Sequence, residues 1–410
     1  AYGSVYESDT AEEIADLIGK RGVDMTVEQI QDLVEGYLMK SEYPEVAKSY
    51  ILYRDQRNKE RTRRSKLITA VMKRTEASAV ENSNANVDEK SFSGREKEAS
   101  SDVQKAIALD YTLSPLVSQA HKDMLLYQHD LEKTNIGEHN CLFVDFKEVF
   151  DNGFVTRNGD VRPPSTFSSA CQQTAVIFQC QSQVQFGGVG TVHLDYDLAP
   201  FVKKSFRKHI RNYFTDVAGM TEEEALKTIK SKFEPCEIDN WKIKNHPAYT
   251  FAIKQLEREG LQAAEAMYHN LNTLQSRSGN QLPFTSINYG TCTSPEGRMI
   301  IKALLLGSLK GVGKHHRTPI FPCGIFQVGE GINKRPGDPN YDLFQLALES
   351  TAKRLYPNYA NIDWTGNAGY DKNDPRTYFS TMGCRTANGW DVNGLGQQKD
   401  GRGNICPVII

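Results

Sequence analysis

A chain of 410 residues can bury one large core or two to three ordinary ones, and its 49 Lys+Arg against 51 Asp+Glu leave a formal charge of -2. That balance excludes a general affinity for nucleic acid or anionic membranes, so any nucleotide recognition has to be local. No apolar run reaches the ~20 residues of a membrane span, and the opening AYGSVYESDTAEE has neither the basic start nor the apolar stretch of a signal peptide, which reads as a soluble, cytoplasmic protein.

In chain order, TVEQIQDLVEGYLM at 26–39 spaces Val27, Ile30, Leu33, Val34, Tyr37 and Leu38 for a helix, with Thr26 and Gln29 placed for a capping box. YPEVAKSYILYRDQRNKERTRRSKL follows as a helix-prone, increasingly basic stretch, so residues 1–62 read as a small helical unit. Residues 63–101, and TEASAVENSNANVDEKSFSGREKEASS above all, are polar and poor in apolar side chains, the composition of a linker. Residues 102–410 form a mixed α/β body. DVQKAIALDYTLSPLVSQAHKDMLLYQHDL is helical in pattern and broken near Pro115, and CLFVDFKEVF begins as a strand. PSTFSSACQQTAVIFQCQSQV is a loop feeding a helix, and EGLQAAEAMYHNLNTLQ is a stronger helix by propensity. PFTSINYG and PIFPCGIFQV read as strands, and YDLFQLALESTAKRLY as an amphipathic helix ended before Pro357. This alternation favours a barrel-like or layered α/β fold. The closing NICPVII is a β-branched run without a turn signal, which reads as a strand belonging to a longer polypeptide.

The chemistry-bearing motifs are few. GVGK at 311–314 fails the phosphate-loop pattern at Ser308 and His315, and FGGVGTVH at 186–193 fails the dinucleotide fingerprint at His193, so both read as turns. Ser165, Thr166, Ser168 and Ser169 either contact phosphate or cap the following helix. Eight cysteines (Cys141, Cys171, Cys180, Cys236, Cys292, Cys323, Cys384 and Cys406) lie without a CxxC pair, which excludes a disulfide framework and a zinc site within this sequence. Cys384 differs from the others in its setting. FSTMGCRTANGW puts it beside the fixed charge of Arg385 among Gly and Thr residues that suit a loop pushed into a cavity, where a thiol is either a packing group or a nucleophile.

MGCRT at 382–386 resembles the finger-loop motif of the class III anaerobic ribonucleoside-triphosphate reductases, the oxygen-sensitive members of the glycyl radical enzymes. QHDL at 128–131, HNCLFVDFKEVFDNGF at 139–154, GNQLPFTSINYGTCTSPEGR at 279–298, TPIFPCGIFQVGEGIN at 318–333, GDPNYDLFQLALESTAKRLYP at 337–357 and DGRGN at 400–404 continue the likeness in the same order. IQDLVE and VAKSYILYRDQR are similar to the second half of an ATP-cone.

The resemblance implies a ten-stranded α/β barrel over residues 102–410, with a finger loop through its centre and a partial ATP-cone at 1–62 in front. It implies that a glycyl radical outside this chain oxidises Cys384 to a thiyl radical, which takes the 3' hydrogen of a ribonucleoside triphosphate, with Cys141 opposite as the second cysteine. It implies Asn140 and Asn404 as amides for the substrate hydroxyls or for formate, the external reductant; Ser165, Ser168, Ser169 and Arg385 are expected to contact substrate. ATP and deoxynucleotide effectors, a homodimer and an activating radical S-adenosylmethionine enzyme are the implied partners. The family's glycyl-radical loop, RVCGY, its four zinc-binding cysteines and the KRDG half of the ATP-cone are not found in this sequence, so zinc is expected only beyond it and this chain is not expected to turn over alone. Two alternatives share much of the pattern: another glycyl-radical enzyme of the formate-lyase type, and a catalytically inactive nucleotide-binding relative.

Overall fold

The computed structural model describes residues 8–21, 24–41, 44–75, 88, 90–137, 139–367, 369–383, 386–389, 393, 399–405 and 408–410. The chain divides into two units, Ala1–Glu76 and Ala77–Ile410.

The first unit holds α1 (Ser8–Gly19), α2 (Val27–Leu38) and α3 (Pro44–Thr75). Thr26 opens α2 as its spacing predicts: its hydroxyl accepts from the Gln29 N–H at 3.3 Å, and the Gln29 side chain accepts from the Thr26 N–H at 2.8 Å. Arg54 of α3 ties the two helices together through Asp32 at 2.5 Å and Glu35 at 2.8 Å. The helix does not stop near residue 62. RRSKLITAVMKR contains no Gly or Pro and several good helix formers, so α3 runs to Thr75, into the stretch read as a linker, and α4 (Phe92–Ile107) occupies the other end of that stretch.

In the second unit α4 passes through a π turn at Ala108–Thr112 to α5 (Pro115–Lys122), whose Ser114 cap and first-position Pro115 explain the break seen in the sequence. Then come β1 (Tyr127–Gln128), β2 (Leu142–Phe143), α6 (Phe146–Asn152), β3 (Phe154–Thr156), β4 (Gly159–Val161) and α7 (Phe167–Gln181). The chain continues through β5 (Val189–Thr191), α8 (Leu194–Asn212), α9 (Glu222–Lys232), α10 (Pro247–Thr273), β6 (Thr285–Tyr289) and α11 (Pro295–Lys310). It ends with β7 (Cys323–Val328), α12 (Tyr341–Arg354), β8 (Asn358–Asn361), β9 (Ser380–Met382), β10 (Thr386–Asn388) and β11 (Val408–Ile409).

Strands β2, β5, β6, β7 and β8 form one all-parallel sheet in chain order, registered by pairs such as Leu142↔Val189, Val189↔Thr285, Ser286↔Cys323 and Ile325↔Asn358. Parallel neighbours need crossovers, and helices supply them. The α/β expectation is met with five parallel strands among the described residues rather than ten. After β8 the described strands pair antiparallel instead, β9 with β10 and β11 with β1. No helix among the described residues is long and apolar enough to cross a membrane.

Both faces of the sheet are covered, which is why β6 is buried at all five positions. On the outer face Val189, Ile287 and Phe326 join a core with Phe178, Leu198, Phe206, Leu256, Ile300 and Leu304 of the helices. Asp195, in the first turn of α8, pins that layer to the end of β6: its Oδ2 accepts from the N–H groups of Gly290, Thr291 and Cys292 at 2.9, 3.1 and 2.9 Å. On the inner face lies the β9–β10 hairpin, held by side-chain amides. Asn288 of β6 donates to the carbonyls of Thr191 (2.8 Å) and Thr381 (3.0 Å) and accepts from the Thr381 N–H (3.1 Å), while Gln327 of β7 donates to the Phe379 carbonyl at 2.8 Å. Asn288→Ala strips the hairpin of that anchor at a cost of about 2–3 kcal/mol, by loss of buried hydrogen bonds. Hydrogen exchange should show the Thr381 amide losing protection in this variant ahead of the β6 amides; equal protection in both proteins would remove Asn288 as the anchor.

Candidate active site

A cavity of about 1000 Å³ opens at the amino ends of the sheet strands. Asn140 and Cys141 just before β2, Gly187 and Gly188 just before β5, Thr285 and Ser286 at the start of β6, and Gly383 at the tip of β9 all line it.

Cys141 is buried, and its sulfur is fixed from two sides: the Gly188 N–H donates to Sγ at 3.2 Å, and Sγ donates to Asn140 Oδ1 at 3.5 Å. Two glycines make this packing possible. A Cβ on Gly187 would lie 2.1 Å from the Asn140 carbonyl oxygen and from Oδ1. Gly383, at φ +59, carries the hairpin turn so near Cys141 that a Cβ there would sit 3.1 Å from Sγ. The hairpin register pairs Met382 with Thr386. Cys384 and Arg385 lie outside the described residues. Of their neighbours, Gly383 lies against Cys141.

The two asparagines divide their work. Asn404 Oδ1 accepts from the Cys141 N–H at 2.7 Å and Asn404 Nδ2 donates to Thr386 Oγ at 2.8 Å, with backbone bonds to Asn140 and Cys141 at 2.9 Å each. Its amide therefore clamps Cys141 to the hairpin. Asn140, only 1% exposed, lines the cavity with an Nδ2 that has no hydrogen-bond partner among the described residues. The hydroxyls of Thr285 and Ser286 are likewise buried without partners there. A buried donor without an acceptor is costly, and a polar ligand repays it.

The serines are elsewhere. Thr166 and Ser169 form the reciprocal cap of α7, the Ser165 N–H donates to Ser169 Oγ at 3.2 Å, and the Ser168 N–H donates to Glu259 Oε1 at 2.9 Å. Ser165, Ser168 and Ser169 do not line the cavity. Ser169 caps α7, while the Ser165 and Ser168 backbone N–H groups are taken up by Ser169 Oγ and Glu259.

Sequence reasoning missed the cationic side chains of the wall, Lys97, Lys105, Lys133 and Arg277, which line it with Glu98, Asp130 and Glu132. Burial first, then Arg277 and Lys133, push the Lys97 ammonium down to about 8. His129 and Asp130, quoted above in QHDL, also line the cavity and are hydrogen-bonded to each other through His Nδ1 and the carboxylate. Among the described residues no group of three or more His, Cys, Asp or Glu side chains is arranged to hold a metal, and none of the six described cysteines forms a disulfide with another of them.

A parallel α/β body with a β9–β10 hairpin on its inner face, Gly383 of that hairpin close to the buried Cys141 in a polar cavity, is the architecture of an α/β enzyme. Residues 83–410 match the family model of the anaerobic ribonucleoside-triphosphate reductases, and residues 4–59 that of the ATP cone domain. The chain belongs to the anaerobic ribonucleoside-triphosphate reductase family. It is similar to proteins of that name from Haemophilus influenzae (32% identity over 391 residues, 94% of this chain and 50% of the relative), Salmonella typhimurium (32% over 411, 99% and 52%) and Escherichia coli (33% over 398, 96% and 51%). The chain thus spans about half the length of the curated relatives it matches. Among solved structures it overlaps the anaerobic ribonucleotide reductase of Thermotoga maritima in complex with dATP and CTP, at 13% identity and a TM-score of 0.43 over 67% of this chain and 43% of that one. The same enzyme with citrate in the active site overlaps at 14% identity and a TM-score of 0.46, over 68% and 48%.

Proposed function

We propose that this chain supplies the substrate cavity and both reacting thiols for the reduction of ribonucleoside triphosphates to 2'-deoxyribonucleoside triphosphates. The observation that carries the reading is the close approach of Gly383, the residue before Cys384, to the Cys141 sulfur beside the Asn140 amide, whose Nδ2 has no partner among the described residues. A glycyl radical, on a residue outside this chain, supplies the oxidising equivalent. Cys384, as a thiyl radical, takes the 3' hydrogen of the ribose. The 2' hydroxyl then leaves as water, with Cys141 on the opposite side of the sugar to donate a proton or hydrogen. Formate, oxidised to carbon dioxide, returns the two electrons, so that triphosphate, formate and a proton give deoxynucleotide, carbon dioxide and water. Asn140 orients the substrate hydroxyls or formate, Arg385 binds substrate at the turn, and Asn404 positions Cys141 and the hairpin. Enclosure of the thiols shields the radical from side reactions, and fixed opposition of sulfur, ribose and amide supplies orientation.

On the same reading residues 1–62 act as an ATP-cone segment answering to ATP and deoxynucleotide effectors, and residues 102–410 as the catalytic body. The working protein is a cytoplasmic homodimer, activated by a radical S-adenosylmethionine enzyme, with zinc held outside this sequence.

The test is anaerobic CTP reduction by the full-length gene product, activated and given formate, with Cys384→Ala alongside. Wild type should make dCTP, and the variant should form the glycyl radical signal but no product. Product from the variant would remove Cys384 as the thiyl site; product from neither would favour an inactive nucleotide-binding relative.

A further inference from the structure

The chemistry above uses the thiols and leaves the cationic wall of the cavity without a task. That wall is built with care. Arg277 is 7% exposed, and its guanidinium lies 4.2 Å from the centre of the Phe284 ring. Lys97 Nζ donates to Oε1 of the fully buried Gln281 at 2.6 Å, and Gln281 is bridged through its backbone to Arg277. The loop between them wraps the lysine stem so tightly that a Cβ on Gly279, at φ +78, would lie 2.5 Å from Lys97 Cδ. Lys133 joins them from the 131–133 turn, with its ammonium 5.8 Å from the Phe186 ring centre. Like charges gathered on a half-buried wall repel one another, and Lys97 is depressed first by burial and then by Arg277 and Lys133, with Glu98 and Glu132 pulling the other way. An anion in the cavity converts that cost into attraction.

We propose that Lys97, Lys133 and Arg277 form the anion pole of this cavity and hold the phosphate tail of its substrate. The ligand class rests on the function proposed above; the pole itself rests on the geometry. Arg277 offers a planar fork to phosphate oxygens, while the two lysines act as point charges. Ser169, at the start of α7, is engaged in that helix's cap.

Binding is measured on the full-length protein without activation, using CTP, cytidine and inorganic tripolyphosphate. Tripolyphosphate should compete with CTP on the wild type, and Lys97→Met should weaken CTP by about tenfold or more, as expected for a charge-assisted hydrogen bond, while leaving cytidine unchanged. Lys97→Arg should recover most of the loss, which a merely structural role would not predict. Because phosphate oxygens favour the charged ammonium, CTP affinity should also fall above pH 8, by up to about tenfold per pH unit, in the wild type and not in Lys97→Met. The groups facing this ammonium are Arg277, Lys133, Glu98 and Glu132. CTP affinity within twofold in Lys97→Met, or cytidine binding as tightly as CTP, would overturn the pole. Tripolyphosphate binding without CTP binding would keep the pole and sink the ribonucleotide reading. Should Lys97→Met fail to fold, the wild-type competition decides alone: absence of displacement overturns the pole.

Discussion

Gly383→Ala is expected to lower deoxynucleotide formation by roughly 100-fold while leaving the protein folded, because small displacements of a reacting group are that costly. Gly383 sits at φ +59, where an alanine is strained by about 1 kcal/mol, and its new Cβ would sit 3.1 Å from Cys141 Sγ. The sulfur is held by the Gly188 N–H and Asn140 Oδ1, whereas the hairpin has only three paired residues on each strand. The turn is the softer partner and gives way. Cys384, the next residue, moves with it. Gly188→Ala is the internal control: its Cβ would meet Gly383 Cα at 3.4 Å and Sγ at 3.9 Å, ordinary contacts that should cost far less activity. Anaerobic dCTP formation and thermal melting, measured together on both variants, check this. Near-wild-type turnover by Gly383→Ala would mean that the turn's distance from Cys141 does not govern the reaction.

Local rules made part of this molecule readable. The Thr26/Gln29 box, the Pro115 break, the runs that became β6 and β7, and the end of α12 before Pro357 all depend on residues within one or two turns of one another. Other elements were hidden for identifiable reasons. β5 is only Val-Gly-Thr, and two glycines precede it, so it reads as a turn until its neighbours on either side bury it. α4 read as linker because it packs through Gly94, Glu98, Ala99 and Ser101, small or polar residues that leave no apolar stripe. The same disguise concealed Lys97. Cys141 and Cys384 were identifiable through the motifs around them, but the approach of Gly383 to Cys141 and the joint wall of Lys97, Lys133 and Arg277 are long-range facts. No spacing rule encodes them.

Asp195→Ala should be among the most destabilising single changes in the second unit, by about 3–5 kcal/mol, since it leaves three buried N–H groups without an acceptor. Asp195→Asn should differ sharply. One amide oxygen can accept from the same three donors, and the amide NH2 replaces Oδ1, which has no hydrogen-bond partner among the described residues. Burial, the largest influence, raises the Asp195 carboxyl above its ordinary value despite the N–H groups of Cys292 and Gly290, which pull it down. The sign follows: a carboxyl with a raised folded-state value favours the folded protein most while protonated, and that contribution drains away as pH climbs from about 3.8 through the folded value. Asparagine has no such loss, so the melting temperature of Asp195→Asn should gain on wild type across that interval and hold its gain above it. Asp400, which burial also raises, acts in both proteins, whereas Asp197, raised first by burial and then by the Asp195 charge, loses that second push in Asp195→Asn, which adds to the variant's gain. If the two melting curves stay parallel with pH, Asp195 holds its proton equally in the folded and unfolded states, and burial does not raise its carboxyl.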